Sequence, residues 1–295
     1  MSVEAGAKVD EPRMGSSVAP GAHPRLAKRA WANRLASLGL PLVVSLGLAA
    51  VWQAIVSLEL VNPIIFPSPL GVVNEVFFVG GNLATGGYIL PEAWTTLREV
   101  LIGFVLAASV GFSLGTLVGV TDIGRRGVMP ILVSLNTMPK VAFAPVFIAW
   151  FGFGMTPKIL MAMIIAIFPV IVNTASGLMA PTAHELKLFR QLGASRGQLL
   201  WKLQLPSALP SIFAGLRTAA VFSVIGAVIG EFIGGGSGMG ELIRVGSDML
   251  RMDRVFGLII WLSLIGLMLY GIVGLIERRV VFWKQTTHQL QEMQG

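Results

Sequence analysis

Long apolar stretches are the feature of this 295-residue sequence that most restricts its fold. A helix needs about 20 apolar residues to cross the hydrocarbon core of a bilayer. Four windows of this length carry no charge, and two more carry only Lys140 or the pair Arg217 and Glu231. In order, the six windows are residues 38–58, 100–120, 128–150, 159–180, 212–233 and 255–276. They predict an all-α membrane protein with six transmembrane helices, in agreement with a charged content of only 13%.

The distribution of basic residues predicts the orientation, because Lys and Arg are retained in cytoplasmic loops. With the N-terminus inside, 15 of the 22 basic residues fall in inner segments and 5 in outer ones. We therefore expect a multi-pass protein of the plasma (inner) membrane with both termini in the cytoplasm. The predicted organisation is a mobile cytoplasmic tail (1–36), a transmembrane domain (37–280) and a cytoplasmic C-terminal tail (281–295).

Patterns typical of catalysis or metal binding do not occur in the sequence. Cysteine is absent, none of the three histidines has a partner at metal-ligand spacing, and no pair of carboxylates lies within the predicted spans. No P-loop is present, so ATP hydrolysis by this chain is not expected. We therefore expect no catalytic residue, no metal and no cofactor. The basic balance follows from the loop bias, and no basic patch interleaved with aromatics predicts a nucleic-acid partner.

Glycine and proline predict the local features of the spans and loops. Gly103, Ala107, Gly111, Gly115 and Gly119 recur every four residues, which produces a bare helix face. Such a face favours close helix packing within the bundle, with a dimer interface or a translocation pathway as the alternative. We also expect Ser68 to cap a short helix that begins at Pro69. The segment GGGSGMGELIRVGSDMLRMDR is interpreted as a flexible outer turn followed by a short interfacial helix.

Candidate pathway or gate residues are those that interrupt or charge a span. Pro139 and Pro145 each remove a backbone donor and are expected to bend the third span, with Lys140 beside the first. Glu231 ends the fifth span at its outer mouth and is a candidate for gating or partner contact. Arg217, near the other end of that span, is expected to snorkel to the interface. Buried charges and a broken helix would also suit a secondary, ion-gradient-driven transporter, which is the alternative function.

Residues 181–211 are too polar to span a bilayer and fall in the predicted cytoplasm. Leu186, Phe189 and Leu192 recur at helical spacing, and Gly193 suits the end of that helix. Ser195, with glutamine three residues later, predicts a capping box for a second short helix that ends at Pro206. The predicted unit is helix, glycine turn, helix. Its exposed apolar residues call for a partner surface, although a self-contained connector between spans is the alternative.

Gly193 followed by Leu205-Pro206 resembles the EAA loop in the permease subunits of binding-protein-dependent ABC importers. The segments LNTMPKVAFAPVFIAWFGFGMTPKIL, FPVIVNTASGL, LGASRGQLLWKLQLPSALPSIFAGLR and GAVIGEFIGGGSGMGELI are similar, in order, to permeases of the nitrate, sulfonate and taurine group. The resemblance implies a type I importer fold. It also implies a separate ATPase subunit, an extracytoplasmic substrate-binding protein and a second permease copy, most simply as a homodimer.

The resemblance implies ATPase coupling through the loop, and it also shows one departure. The implied coupling residues are Glu185, Lys187, Phe189, Gly193, Ala194, Ser195, Leu205 and Pro206. Where the family has a glutamate six residues before the glycine, this sequence has Lys187, so that contact would need an acidic partner instead. The stretch FSVIGAVIGEF is similar to members that transport thiamine-precursor pyrimidines or riboflavin, with sulfonate, taurine or nitrate as the other substrates.

Overall fold

The computed structural model describes residues 43–62 and 65–283. This part of the chain is helical, with short turns and no strand. The α-helices are α1 Val43–Ser57, α2 Pro69–Thr85, α3 Ile89–Val120, α4 Met129–Thr137, α5 Phe143–Phe151, α6 Met155–Leu178, α7 Ala183–Gln191, α8 Arg196–Leu199, α9 Leu205–Gly234, α10 Met239–Asp248 and α11 Met252–Val280. The predicted tail 1–36 and residues 284–295 lie outside the described residues.

The fold class is all-α membrane protein, as predicted, but the spans differ from the predicted windows. Among the described residues, four helices are long and apolar enough to cross a membrane, and a bent pair makes a fifth candidate. The part of predicted span 38–58 that is described forms the apolar helix α1. The helix of predicted span 100–120 begins earlier, at Ile89, because polar residues extend it beyond the apolar window.

The glycine face of α3 packs against α6 within the bundle, as the sequence favoured. A side chain added at Gly103 would place its Cβ against that of Ala162, and one at Gly111 would meet Val170. Gly115 stands in the same way against Thr174, where the added Cβ would lie 2.6 Å from the Thr174 Cβ. Residue numbers rise together along both helices, so α3 and α6 are parallel. Helix backbones approach this closely only where the facing residues are small.

The contacts between α6 and α9 follow the opposite order of residue numbers. Close approaches pair Gly177 with Ser211 and Gly226 with Ala162, so residue numbers fall along α9 as they rise along α6. The two helices are therefore antiparallel. Helix α6 packs against both α3 and α9, and it is the central helix of the bundle.

The third predicted span is not one straight helix. The helical segments 124–137 and 140–151 meet at an angle of 80°. The break falls at Pro139, whose extended backbone follows the end of α4. Pro145 does not bend the chain, contrary to our expectation, because it lies in the first turn of α5, where the backbone N–H has no helical acceptor to lose.

Pro206 does not end the second helix of the 181–211 loop, which corrects the prediction. The chain stays helical from Arg196 to Gly234, a single stretch of 39 residues. Leu200–Gln204 adopt a wider π-helical turn directly before the proline. The wider turn makes room for the proline ring at the position where a backbone hydrogen bond is lost. The helix therefore continues through Pro206.

The loop helices at the other end of the bundle match their sequence signals. Ser68 caps α2, and its hydroxyl accepts a hydrogen bond from the Gly71 N–H at 3.0 Å. Helix α10 begins after a turn in which Gly235, Gly236 and Gly238 have left-handed φ values. This turn packs closely against α9 and is not simply a flexible turn, since a Cβ at Gly238 would collide with the Glu231 carboxylate.

The α3–α6 contact predicts a steric response to one methyl group. Gly115→Ala should lower stability by about 1–3 kcal/mol, the usual effect of overpacking, because the added Cβ meets Thr174 and the Ile171 carbonyl. Gly271→Ala is the matched control, as nothing lies within 4 Å of its added Cβ. Thermal unfolding of both variants in detergent measures the effect. Equal unfolding midpoints for the two variants would contradict the close approach of α3 and α6 at Gly115.

Candidate functional site

The first part of the candidate site is α7, which begins with a capping box that sequence analysis missed. The Thr182 hydroxyl accepts from the Glu185 N–H at 3.3 Å, and the Glu185 carboxylate accepts from the Thr182 N–H at 2.7 Å. Hydrogen bonds from the Thr182 backbone and hydroxyl lower the pKa of Glu185 below its ordinary value. The threonine three residues before a glutamate was the available signal. Glu185 therefore helps to define where α7 starts.

The turn after α7 follows the predicted pattern. Gly193 has a φ of 75°, its N–H donates to the Arg190 carbonyl, and the Ala194 N–H donates to the Phe189 carbonyl. These two bonds satisfy carbonyls at the end of α7. Ser195 then caps α8 through the predicted capping box, in which its hydroxyl accepts from the Gln198 N–H at 3.3 Å. The end of α7 and the start of α8 are thus both defined.

The loop presents apolar side chains on its surface and is anchored at its second end. Leu192 is 76% exposed and Trp201 is 69% exposed, while Lys187 is an exposed cation on α7. At the anchored end, Leu205 packs with the cluster formed by Leu178, Ala208 and Ile212. A second tie comes from Gln204, whose amide donates to the Leu178 carbonyl at 3.2 Å.

The bend at Pro139 places Lys140 at a small cavity. The Lys140 ammonium donates to the backbone carbonyl and the side-chain oxygen of Asn136, at 3.1 and 2.7 Å, and so caps the end of α4. Lys140 and Asn136 are the polar members of the lining of a cavity of about 300 Å³ between α3, α4 and α6. The remaining lining is apolar, with Leu114 and Phe168 among it.

Glu231 lies in a buried polar network at the opposite end of α9 from the loop. Its carboxylate accepts from the Thr96 hydroxyl at 2.6 Å and from the Gly240 N–H at 2.6 Å. Thr96 in turn accepts from the Met239 N–H at 2.8 Å. Glu231 and Thr96 are fully buried. The network therefore fastens the start of α10 to α3 and α9.

A second carboxylate and a lysine complete this network, contrary to the expectation that no carboxylate pair lies within the spans. Glu99 stands beside Glu231 and is fully buried. Lys158, 1% exposed, lies 3.6 Å from the Glu99 carboxylate and donates to the Ser237 carbonyl at 2.8 Å. Neither Glu99 carboxylate oxygen has a hydrogen-bond partner among the described residues, so the ion pair with Lys158 is the contact that offsets the cost of burying this carboxylate.

Glu99 and Lys158 were missed because each adjoins the end of a predicted apolar window. The helical period held the signal: Thr96 and Glu99 precede Gly103 by seven and four residues, so they continue the bare face of α3 toward α6. The structure thus divides the predicted site residues into three groups: the loop, the bend at Pro139 and the buried polar network.

Comparison with known proteins identifies the family. The chain matches the family described as binding-protein-dependent transport system inner membrane component over residues 77–282. It belongs to this family. The matched range contains the bend at Pro139, the 181–211 loop and the buried polar network, so all three lie in the part of the chain that the family description covers.

Individual relatives agree with this assignment. The formylaminopyrimidine transport permease protein ThiX of Halalkalibacterium halodurans is 31% identical over 83% of this chain and 96% of its own length. The riboflavin transport system permease protein RibX of Chloroflexus aurantiacus is 34% identical over 84% and 91%. The putative aliphatic sulfonates transport permease protein SsuC of Bacillus subtilis is 31% identical over 80% and 84%.

Solved structures agree in fold. A chain from inward-facing MetNI methionine ABC transporter crystals superimposes with a TM-score of 0.57 at 18% identity, over 65% of this chain and 95% of that chain. This permease therefore has the type I importer fold that the sequence resemblance implies. It is a membrane component of an ABC transporter.

The network predicts different effects for two neighbouring threonines. Thr96→Val should lower stability by about 1–3 kcal/mol, because the buried Glu231 carboxylate loses one of its hydrogen bonds and the buried Met239 N–H loses its acceptor. Thr95→Val is the control, since the Thr95 hydroxyl bonds only to the Pro91 carbonyl of its own helix at an exposed position. Hydrogen exchange of residues 238–241 and thermal unfolding measure the effect. Equal exchange in the two variants would contradict a fastening role.

Proposed function

We propose that this permease is the pore-forming subunit of an ATP-driven importer and is coupled through residues 181–211 to a separate ATPase subunit. The observation that supports coupling most is the continuous helix from Arg196 to Gly234. It joins a surface loop with exposed apolar residues directly to the buried polar network around Glu231. A displacement of the loop by a bound partner would therefore move the far end of α9.

The 181–211 loop is suited to binding the ATPase mainly through shape complementarity and apolar contacts. Trp201 and Leu192 are exposed. Leu192 directly follows the capped helix α7, and Trp201 lies in the π-helical turn that continues α8. Lys187 stands where the family has a glutamate, so its contact on the ATPase is an acidic group. Phe189 and Ala194 form part of the turn that sets the angle between the two helices.

The remaining partners follow from the same assignment. A second copy of the chain completes the pore as a homodimer, and an extracytoplasmic binding protein delivers the solute. Both termini lie in the cytoplasm, because this orientation assigns 15 of the 22 basic residues in the sequence to cytoplasmic segments. The Pro139–Lys140 bend lies on the solute pathway, and Glu231 belongs to the gate at its outer end.

The substrate is a small organic or anionic solute. ThiX and RibX are named for formylaminopyrimidine and riboflavin transport, and the stretch around Glu231 is similar to that branch. We therefore favour a thiamine-precursor pyrimidine or a riboflavin-like compound over a sulfonate, taurine or nitrate.

Reconstitution tests the function. Proteoliposomes with the permease, its ATPase and its binding protein should accumulate labelled formylaminopyrimidine or riboflavin only when ATP is hydrolysed, since the chain itself carries no P-loop. Taurine serves as the comparison solute. Uptake by the chain alone under an ion gradient would overturn the proposal in favour of a secondary transporter.

A glycine pair tests the coupling loop separately from transport. Gly193→Ala should weaken co-purification of the ATPase several-fold, because an L-residue in the left-handed region costs about 1–2 kcal/mol. Gly197→Ala is the matched control: it adds the same methyl group to the same loop, and nothing lies within 4 Å of either added Cβ. Membrane insertion should be normal in both. Equal co-purification would show that the Gly193 turn does not set the docking geometry.

A further inference from the structure

A cavity on the side of the bundle combines two arginines with an apolar, outward-facing wall. It lies between α9 and α11 and has a volume of about 480 Å³. Arg217 and Arg278 provide its charged groups, and Met268, Ile272 and Leu275 provide much of its apolar lining. None of these residues belongs to the 181–211 loop, the bend at Pro139 or the buried polar network.

Arg217 is held in place by three neighbours. Its guanidinium forms an ion pair with Glu277 at 2.6 Å and lies over the ring of Tyr270, 5.4 Å from the ring centroid. Gly274 leaves room for it, because a Cβ there would lie 2.9 Å from the guanidinium. The sequence suggested only that the Arg217 side chain snorkels to the interface. In the structure these contacts also fix the position of its guanidinium.

The charge of this cluster is not balanced. Glu277 engages the guanidinium at one terminal nitrogen, and a guanidinium has five N–H donors in a planar fork. Arg278, at the rim, is exposed. Two arginines and one glutamate leave one net positive charge at the cavity. A ligand with an anionic oxygen group would supply both the missing charge and the missing acceptors.

The surroundings require that ligand to have an apolar part as well. Leu267 is 64% exposed, Leu275 is 61% exposed and Met268 is 50% exposed, so the α11 face beside the cavity is apolar and open. On a membrane-spanning helix, an exposed apolar face of this kind suits contact with a lipid acyl chain.

The depth of the cavity also matches a lipid headgroup. The helical rise from Gly234 back to Arg217 is about 25 Å, which places the guanidinium near the far edge of a hydrocarbon core that begins at the Glu231 end. Basic pockets between transmembrane helices on the cytoplasmic side suit anionic headgroups.

We propose that the cavity between α9 and α11 binds one anionic phospholipid, with its phosphate on Arg217 and Arg278 and an acyl chain along Met268, Ile272 and Leu275. The lipid bridges the loop half of α9 to α11. The assignment rests on the proposed orientation, in which the loop end of the bundle is cytoplasmic, and does not depend on the identity of the transported solute.

Two adjacent arginines give a matched test. Arg278 lines the cavity, while Arg279 follows it in sequence, carries the same charge and does not line it. The full chain is purified in detergent and titrated with phosphatidylglycerol, and bound lipid is counted by native mass spectrometry. Arg278→Gln should weaken binding of the tightest phosphatidylglycerol roughly fivefold, the effect of one basic residue near a headgroup. Arg279→Gln should leave it unchanged, and phosphatidylcholine should bind weakly throughout.

A double variant and a soluble competitor complete the experiment. Arg217→Gln combined with Glu277→Gln removes the ion pair without leaving a lone buried charge, and should also weaken phosphatidylglycerol binding. Glycerol phosphate should not displace the lipid if the acyl chain contributes. Equal binding by the Arg278 and Arg279 variants would overturn the proposal. So would displacement by glycerol phosphate, or cross-linking that places a second copy of the chain over Met268 and Leu275.

Discussion

Close backbone approach along α6 is the constraint on which the bundle depends. Lipid tails are as apolar as leucine side chains, so helices in a membrane gain little from burying hydrocarbon against each other. Packing must come from surface fit and from polar contacts. Here α3 and α9 both present small residues to α6, and the buried polar network closes the same three helices at one end. Loss of either contribution would loosen the positions of Glu231 and Lys158.

The arrangement joins two chemically different ends. At one end, exposed apolar residues lie in a loop whose two short helices have capped N-termini, which suits recognition by another protein. At the other end, Lys158 and Glu231 are hydrogen-bonded within the chain. The Glu99 carboxylate, whose oxygens have no hydrogen-bond partner among the described residues, forms an ion pair with Lys158. The continuous helical stretch from Arg196 to Gly234 connects the two ends, and Leu200–Gln204 is the one wider turn described along it. A movement at one end can therefore be transmitted to the other through this helical stretch alone.

Much of this fold could be predicted from apolar length, glycine spacing and capping pairs. The bare face of α3, the Ser68 and Ser195 caps and the Gly193 turn depend on local chemistry, so sequence was sufficient for them. The errors concern what proline does in context. Pro206 was expected to stop a helix and Pro145 to bend one, but a π turn and a first-turn position remove the conflict. Glu99 was missed because apolar windows exclude the polar residues that end a span.

The continuity of α9 restricts how the sequence of this permease can vary in length. Each added residue in an α-helix rotates everything beyond it by about 100° and advances it by about 1.5 Å. One insertion between the loop and Glu231 would therefore turn that carboxylate away from Thr96 and Gly240. Insertions and deletions among homologues should accordingly be found outside α9, whatever solute each homologue carries.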